Sequence, residues 1–184
     1  YGTEVLYAFT SSENENELIT LTKNLAASRK STYSSGPQVQ LQKKNTQNIH
    51  KIQCYPADVK SKNKVNFLQK ANDVARAYSD KIKQVSCSIS DSNKFITIAN
   101  SEGLFCDDRR VRSRFTISVT AVDGTEMFTG SETPGALKGF EFIENLDLTH
   151  YSQKAAERAL LMLSAGYISG GKMTVIMGNA FGGV

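Results

Sequence analysis

Between residues 109 and 130 polar and apolar positions alternate with a period of two. Val111, Ser113, Phe115, Ile117, Val119 and Ala121 fall on one side, and Arg110, Arg112, Arg114, Thr116, Ser118 and Thr120 on the other. Such alternation, rich in β-branched and aromatic residues, predicts a long antiparallel strand with one apolar and one wet face. Asp123-Gly124 follows, a hairpin signal that predicts a type I′ turn. Glu126 to Gly130 then reads as the returning strand.

The remaining pattern supplies neighbours for this hairpin. Upstream, Val85, Cys87 and Ile89 alternate with serines in a strand expected to end at Asp91-Ser92-Asn93, and residues 95–99 form the next one. The turn Asn100-Ser101-Glu102-Gly103 and the pair Asp107-Asp108 lead into the long strand, completing an antiparallel meander over about 85–131. Three helices are expected. The first follows a Ser12-x-x-Glu15 capping box and runs to about Ser28 on Leu18, Leu21 and Leu25. The second is capped by Ser61 and presents Val65, Leu68, Ala71, Ala75, Tyr78 and Ile82. The third is capped by Asp147 or Thr149, carries Ala156, Ala159, Leu160 and Leu163, and stops at Gly166 as C′ residue. Residues 1–10 read as a strand on Val5, Tyr7 and Phe9, 31–37 as a Ser-rich loop, 39–41 as an edge strand and 45–56 as connector. Residues 133–138 read as a Gly/Pro loop, 139–142 as a short apolar piece, Gly170-Gly171 as a hinge, and 173–177 as a buried strand. Helices gathered on one face of a meander make the fold class α+β.

Composition changes this picture little. At 40% hydrophobic and 22% charged residues the chain has the balance of an ordinary globular protein. No apolar run approaches the roughly 20 residues of a membrane span, so a soluble protein is expected. The chain opens on Tyr1 without an initiator Met, which suggests a start inside a longer protein. The net charge of +4 owes much to Arg29, Lys30, Lys43, Lys44, Lys51, Lys60, Lys62 and Lys64, opposed over that span only by Asp58. That stretch reads as a solvated loop or as an anion or nucleic-acid patch, without the interleaved aromatics of single-strand binders. The three cysteines show no zinc spacing and are expected as free thiols in a reducing compartment.

Candidate chemistry is sparse. Cys54 lies near His50, and Cys106 near Asp107 and Asp108, but a thiol nucleophile needs an imidazole in reach and a positive environment, which proximity along the chain does not supply. The only histidines, His50 and His150, are far apart in the sequence. Asp107 and Asp108 would point to opposite faces of a strand, as turn-proximal residues pairing with Arg109 or Arg110. Glycines 178, 182 and 183 follow strand-like sequence, yet lack the spacing and the Lys-Ser/Thr of a phosphate loop. The surface binding candidates are therefore Arg110, Arg112 and Arg114. Side by side, they need acids across the strand, or a peptide, subunit or nucleic acid, to answer their charge. From its residues alone the chain does not read as a complete enzyme.

Several stretches, in order, resemble the TldD/PmbA family, also labelled modulator of DNA gyrase. They are Val85-Ser86-Cys87-Ser88-Ile89-Ser90-Asp91, Ile98-Ala99-Asn100-Ser101-Glu102-Gly103, the Arg-bearing strand with Val122-Asp123-Gly124, and Gly139-Phe140-Glu141-Phe142. The helix at 155–163, residues 171–184, and Tyr7-Ala8-Phe9-Thr10 to Ala27 extend the likeness. The resemblance implies a zinc metallopeptidase in which zinc polarises water and the scissile carbonyl and a Glu is general base. The family's His-Glu-x-x-x-His helix follows a strand and turn like residues 173–184, with a further Cys ligand in the next domain. No zinc or catalytic residue of the family maps onto this sequence, so the catalytic and metal sets are both expected to be none here. The implied organisation is an N-terminal α+β domain over 1–170, with a loop at about 29–60, and the start of a truncated catalytic domain over 171–184. The Gly182-Gly183-Val184 ending looks more like TldD than like the PmbA branch. Implied too are a non-catalytic piece inactive alone, zinc in the full-length protein, a homo- or hetero-dimer with a TldD/PmbA-type subunit, a peptide substrate and a cytoplasmic setting. A sheet edge beside the peptide cleft could add a substrate strand through main-chain hydrogen bonds. The alternative from another class is a nucleic-acid or anion-binding module built on the Lys/Arg loop and the Arg face; a thiol enzyme is a third.

Overall fold

The computed structural model describes residues 5–28, 38–45 and 47–178. Its frame is a five-stranded, mostly antiparallel sheet carrying helices on one face, the α+β architecture expected. The elements are α1 (Glu15–Ala27), β1 (Gln42–Lys43), a 3₁₀ turn (Pro56–Asp58), α2 (Ser61–Arg76), β2 (Ile82–Ala99), β3 (Leu104–Asp123), β4 (Glu126–Glu132), β5 (Gly135–Ala136), α3 (Glu141–Glu144) and α4 (Leu148–Ser164).

The alternation in β3 has the expected outcome. Val111, Ser113, Phe115, Ile117, Val119 and Ala121 are all buried, and the arginine side is open. Ala71 and Ala75 of α2, Phe140 and Ile143 at α3, and Ala155, Ala156 and Ala159 of α4 close over that apolar face. Small residues on the helices let the rods approach the sheet closely. At Gly130 of β4 the approach is closest: a Cβ there would fall on the Ala155 carbonyl oxygen and 2.6 Å from the Ala159 nitrogen.

The meander has one strand fewer than expected. Asp91-Ser92-Asn93 is not a turn but the middle of the 18-residue β2, paired in unbroken register with Ser113, Arg112 and Val111. No Gly or Pro interrupts that run, and Asp91 is held from the helix side by Lys64 at 3.4 Å, so pairing outweighs local turn propensity. The β3–β4 loop is Gly124-Thr125, and only Gly124 takes positive φ (+58°). Positive φ at the first central position alone is the requirement of a type II′ turn, not of the type I′ expected.

Other expectations are corrected by neighbours. Residues 5–10 form no strand, and Val5, Tyr7 and Phe9 are exposed; among the described residues no strand offers them a ladder. Residues 1–4 and the Ser-rich loop at 31–37 lie outside the described residues. Asn14, not Ser12, caps α1 by accepting from Asn16 and Glu17, while the Ser12 hydroxyl accepts from Asn14. Helix α1 buries none of its residues. Ser61 is the first residue of α2, not its cap; Val65 and Tyr78 are exposed and Ile82 opens β2. The edge strand expected at 39–41 lies at Gln42–Lys43, parallel to β3, and 133–138 contains β5. The apolar piece at 139–142 opens α3. Asp147 caps α4 through the His150 N–H, but the chain leaves α4 extended at Ala165, and Gly166 has no left-handed φ. Residues 173–177 are not a buried strand: Ile176 is 95% exposed, with no described element covering it.

Candidate functional site: an unpaired span of the central strand

One side of β3 is paired with β2 along nearly its whole length. The other side is patched. β1 pairs at Leu104 and Phe105, β5 at Ser113 and Arg114, and β4 from Ile117 onward. Between Asp107 and Ser113, roughly 20 Å of strand at about 3.4 Å per residue, no described strand pairs on this side.

The direction of the main-chain groups follows from parity. The Phe115 N–H donates to Pro134 and the Phe105 carbonyl accepts from Lys44, both toward this side. With the β2 register unbroken from Gln84 to Ala99, the main-chain groups of Arg109 and Val111 must point the same way. The Arg109 N–H is taken by the Asp108 carboxylate at 2.9 Å, a side-chain plug on an exposed ladder. For the Arg109 carbonyl and both main-chain groups of Val111, no main-chain partner lies on this side among the described residues.

These groups face a groove of about 430 Å³, walled opposite by Gln47 to His50 and Ile52 and floored by Ile98 and Cys106. The wall belongs to the stretch 45–56, which sequence reasoning treats as connector. It is held by Glu141, only 7% exposed, whose Oε2 accepts the Cys54 N–H at 3.0 Å and whose Oε1 accepts the Gly139 N–H at 2.9 Å. The Phe140 N–H donates back to the Cys54 carbonyl at 2.7 Å. Burial raises the Glu141 carboxyl, but its own, Gly139, Cys54 and Gln53 main-chain donors outweigh that and hold it below the usual carboxylate value. One residue further, Tyr55 stacks on the Arg109 guanidinium at 3.9 Å, with Phe95 on it at 4.6 Å. No signal in the sequence joins Tyr55, Phe95 and Arg109; strand register and loop path bring them together.

Arg110, Arg112 and Arg114 share the open face, as predicted. The residues across β2 are Lys94, Ser92 and Ser90, so the acids expected opposite are absent from those positions. Arg110 is answered within its own strand by Asp108, Nε to Oδ2 2.8 Å. Asp107 pairs with Lys43 at 3.1 Å and accepts from the Thr97 hydroxyl at 3.0 Å, in place of the Arg109 or Arg110 partner expected. Among the described residues neither Arg112 nor Arg114 makes an ion pair, and both line a second, open bowl of about 660 Å³ with Ser90, Ser92, Thr133 and Gly135.

The nucleophile and metal candidates do not assemble. The Cys54 thiol turns to the Tyr55 carbonyl, and burial with the Glu144, Glu141 and Asp58 charges raises its pKa, the opposite of an activated thiol. Burial pushes Cys87 to about 11. All three cysteines are free. His50 is an exposed loop residue, and His150 lies edge-on to Tyr151. No group of three His, Cys, Asp or Glu that could hold a metal exists among the described residues, so the side chains present do not fit a zinc centre. No described helix is long and apolar enough to cross a membrane.

Residues 54–163 match the model of the PmbA/TldA metallopeptidase central domain. The chain is 29% identical over 160 residues to a metalloprotease TldD homolog of Buchnera aphidicola from Acyrthosiphon pisum, a match covering 83% of this chain and 33% of that protein. It is 33% identical over 106 residues to a metalloprotease of Synechocystis, covering 58% of this chain and 22% of that one. The chain thus spans about a third or less of the curated relatives it matches. A crystal structure titled as a modulator of a DNA gyrase from Thermotoga maritima superposes with a TM-score of 0.63 at 18% identity, over 86% of this chain and 35% of that one. A Bacteroides thetaiotaomicron structure of the same description gives 0.63 at 18%, over 82% and 35%.

Proposed function

The chain belongs to the PmbA/TldA metallopeptidase family, whose central domain it carries, and from that premise we propose that it is the substrate-holding, non-catalytic part of a TldD-type peptide hydrolase. Hydrolysis in this reading uses zinc and a His-Glu-x-x-x-His helix supplied by a longer protein. The 184 residues act as scaffold and as one wall of the peptide cleft, inactive alone. The working assembly is a homo- or hetero-dimer with a TldD/PmbA-type subunit in the cytoplasm, where free thiols persist.

The observation that carries the cleft is the unpaired span of β3. The Arg109 carbonyl and the Val111 N–H and carbonyl face a groove of about 430 Å³ between two short strands that already use the same side. An extended peptide laid there gains ladder hydrogen bonds independent of its side chains.

A labelled octapeptide of alternating Gln and Val, titrated against the chain by fluorescence anisotropy, tests this. Backbone N-methylation at alternate residues removes ladder donors without changing side chains. The expected result is saturable binding that weakens about tenfold on methylation, the effect of one or two lost hydrogen bonds. Equal and negligible binding of both peptides ends the proposal. Added zinc is expected to give no cleavage by the chain alone.

A further inference from the structure

On the open face beside the unpaired span Arg112 and Arg114 have no ion-pair partner among the described residues, while Asp108 is engaged with Arg110 and Asp91, which also lines the bowl, with Lys64. Resting on the peptide-strand reading above, we infer that this site selects an acidic peptide, reading an Asp or Glu side chain of the bound strand with Arg112 and Arg114.

A strand added beside Arg109 and Val111 places alternate side chains on each face of the sheet, next to the corresponding side chains of β3. On the open face these neighbours are Arg110 and Arg112. Arg110 is already held by Asp108. Arg112 is not, and Ser92 lies across the ladder from it. Beyond Arg112, the β5 residue opposite Arg114 is Gly135, which places no side chain on the face. The result is the bowl of about 660 Å³, floored by the Arg112–Ser92 and Arg114–Ser90 pairs. Arg112 and Arg114, whose backbones stand roughly 7 Å apart two residues along the strand, each with a serine across the ladder, suit a carboxylate arriving from the adjacent strand. Their mutual repulsion in the empty state is relieved when that carboxylate binds.

Nucleic acid fits this place less well. The groove edge offers main-chain donors and acceptors, Asp108 sits beside it, and the open face of β3 from Arg110 to Thr120 carries no aromatic side chain for base stacking.

The test compares labelled octapeptides of alternating Glu and Val, Gln and Val, and Lys and Val on the wild-type chain and on R112Q/R114Q, with circular dichroism to check folding. Both arginines are exposed, and the wild-type comparison stands without the variant. The expected order is Glu over Gln by about fivefold and Gln over Lys, since exposed pairs contribute up to about 1 kcal/mol each, with the gap closing above 0.5 M salt. R112Q/R114Q should bind the Glu and Gln peptides equally. Equal binding of Glu and Gln peptides by the wild type overturns the acidic preference and leaves strand docking standing. Failure of every peptide overturns both. Tighter binding of a single-stranded oligonucleotide than of the Glu peptide assigns the arginines to phosphate and overturns the inference.

Discussion

Glu141 holds Cys54 by its main chain: the carboxylate accepts the Cys54 N–H at 3.0 Å across 87 residues of sequence. The same side chain accepts from Gly139 at 2.9 Å. A four-residue helix is thereby fastened to an irregular loop, and that loop is the wall of the candidate groove.

Glu141→Ala strands the buried Gly139 N–H and the half-buried Cys54 N–H and should cost about 2–4 kcal/mol of unfolding free energy by urea titration. Glu141→Gln keeps one of the two acceptor oxygens and should cost less. The pH dependence has a definite sign. A carboxyl whose folded pKa lies below its ordinary value of 4.5 stabilises the fold above that value and loses this contribution as pH falls through the folded pKa. Wild type should lose stability below about pH 4.5 more steeply than Glu141→Gln. Parallel curves would remove the clamp.

Asp108 plugs the edge that a peptide would use. Asp108→Ala frees the Arg109 N–H and leaves Arg110 unanswered. The expected outcome is a several-fold gain in affinity for the Gln–Val octapeptide and a rise in self-association by light scattering, as unprotected strand edges pair. Unchanged affinity and an unchanged oligomer profile would show that the plug guards nothing.

Gly130 sets the distance between α4 and the sheet. A methyl group there meets main-chain atoms of Ala155 and Ala159, which cannot rotate away. Gly130→Ala should destabilise by about 2 kcal/mol or more. Hydrogen exchange should place the loosening in α4 and β4, with α2 unaffected.

Cys87 tests the apolar face chemically. With its pKa raised to about 11 by burial, roughly one thiol in a thousand is ionised at pH 8. Iodoacetamide at pH 8 should leave Cys87 unmodified in the native chain and label it in urea, as read by peptide mass mapping. Because the folded pKa is the raised one, this burial stabilises below the ordinary value of 9.0 and the benefit fades as pH rises through about 11. Rapid native labelling would mean that the face over β2 is open.

What the sequence by itself determined is the local and periodic part of the molecule. Alternation along β3 specified which residues enter the core, because a strand has only two faces and Phe115, Ile117 and Val119 cannot all stay wet. Helical spacing placed α2 and α4, and the same alternation put Arg110, Arg112 and Arg114 on one surface. The tertiary structure decided everything that depends on a partner. Asp91-Ser92-Asn93 became strand because β3 lay beside it, and Val5, Tyr7 and Phe9 did not because no described strand lay beside them. The residues opposite the arginines are serines and a lysine through ladder register, which no single segment encodes. The groove wall exists because Glu141 takes the Cys54 N–H from far along the chain, and a hydrogen bond at that separation leaves no periodicity to read.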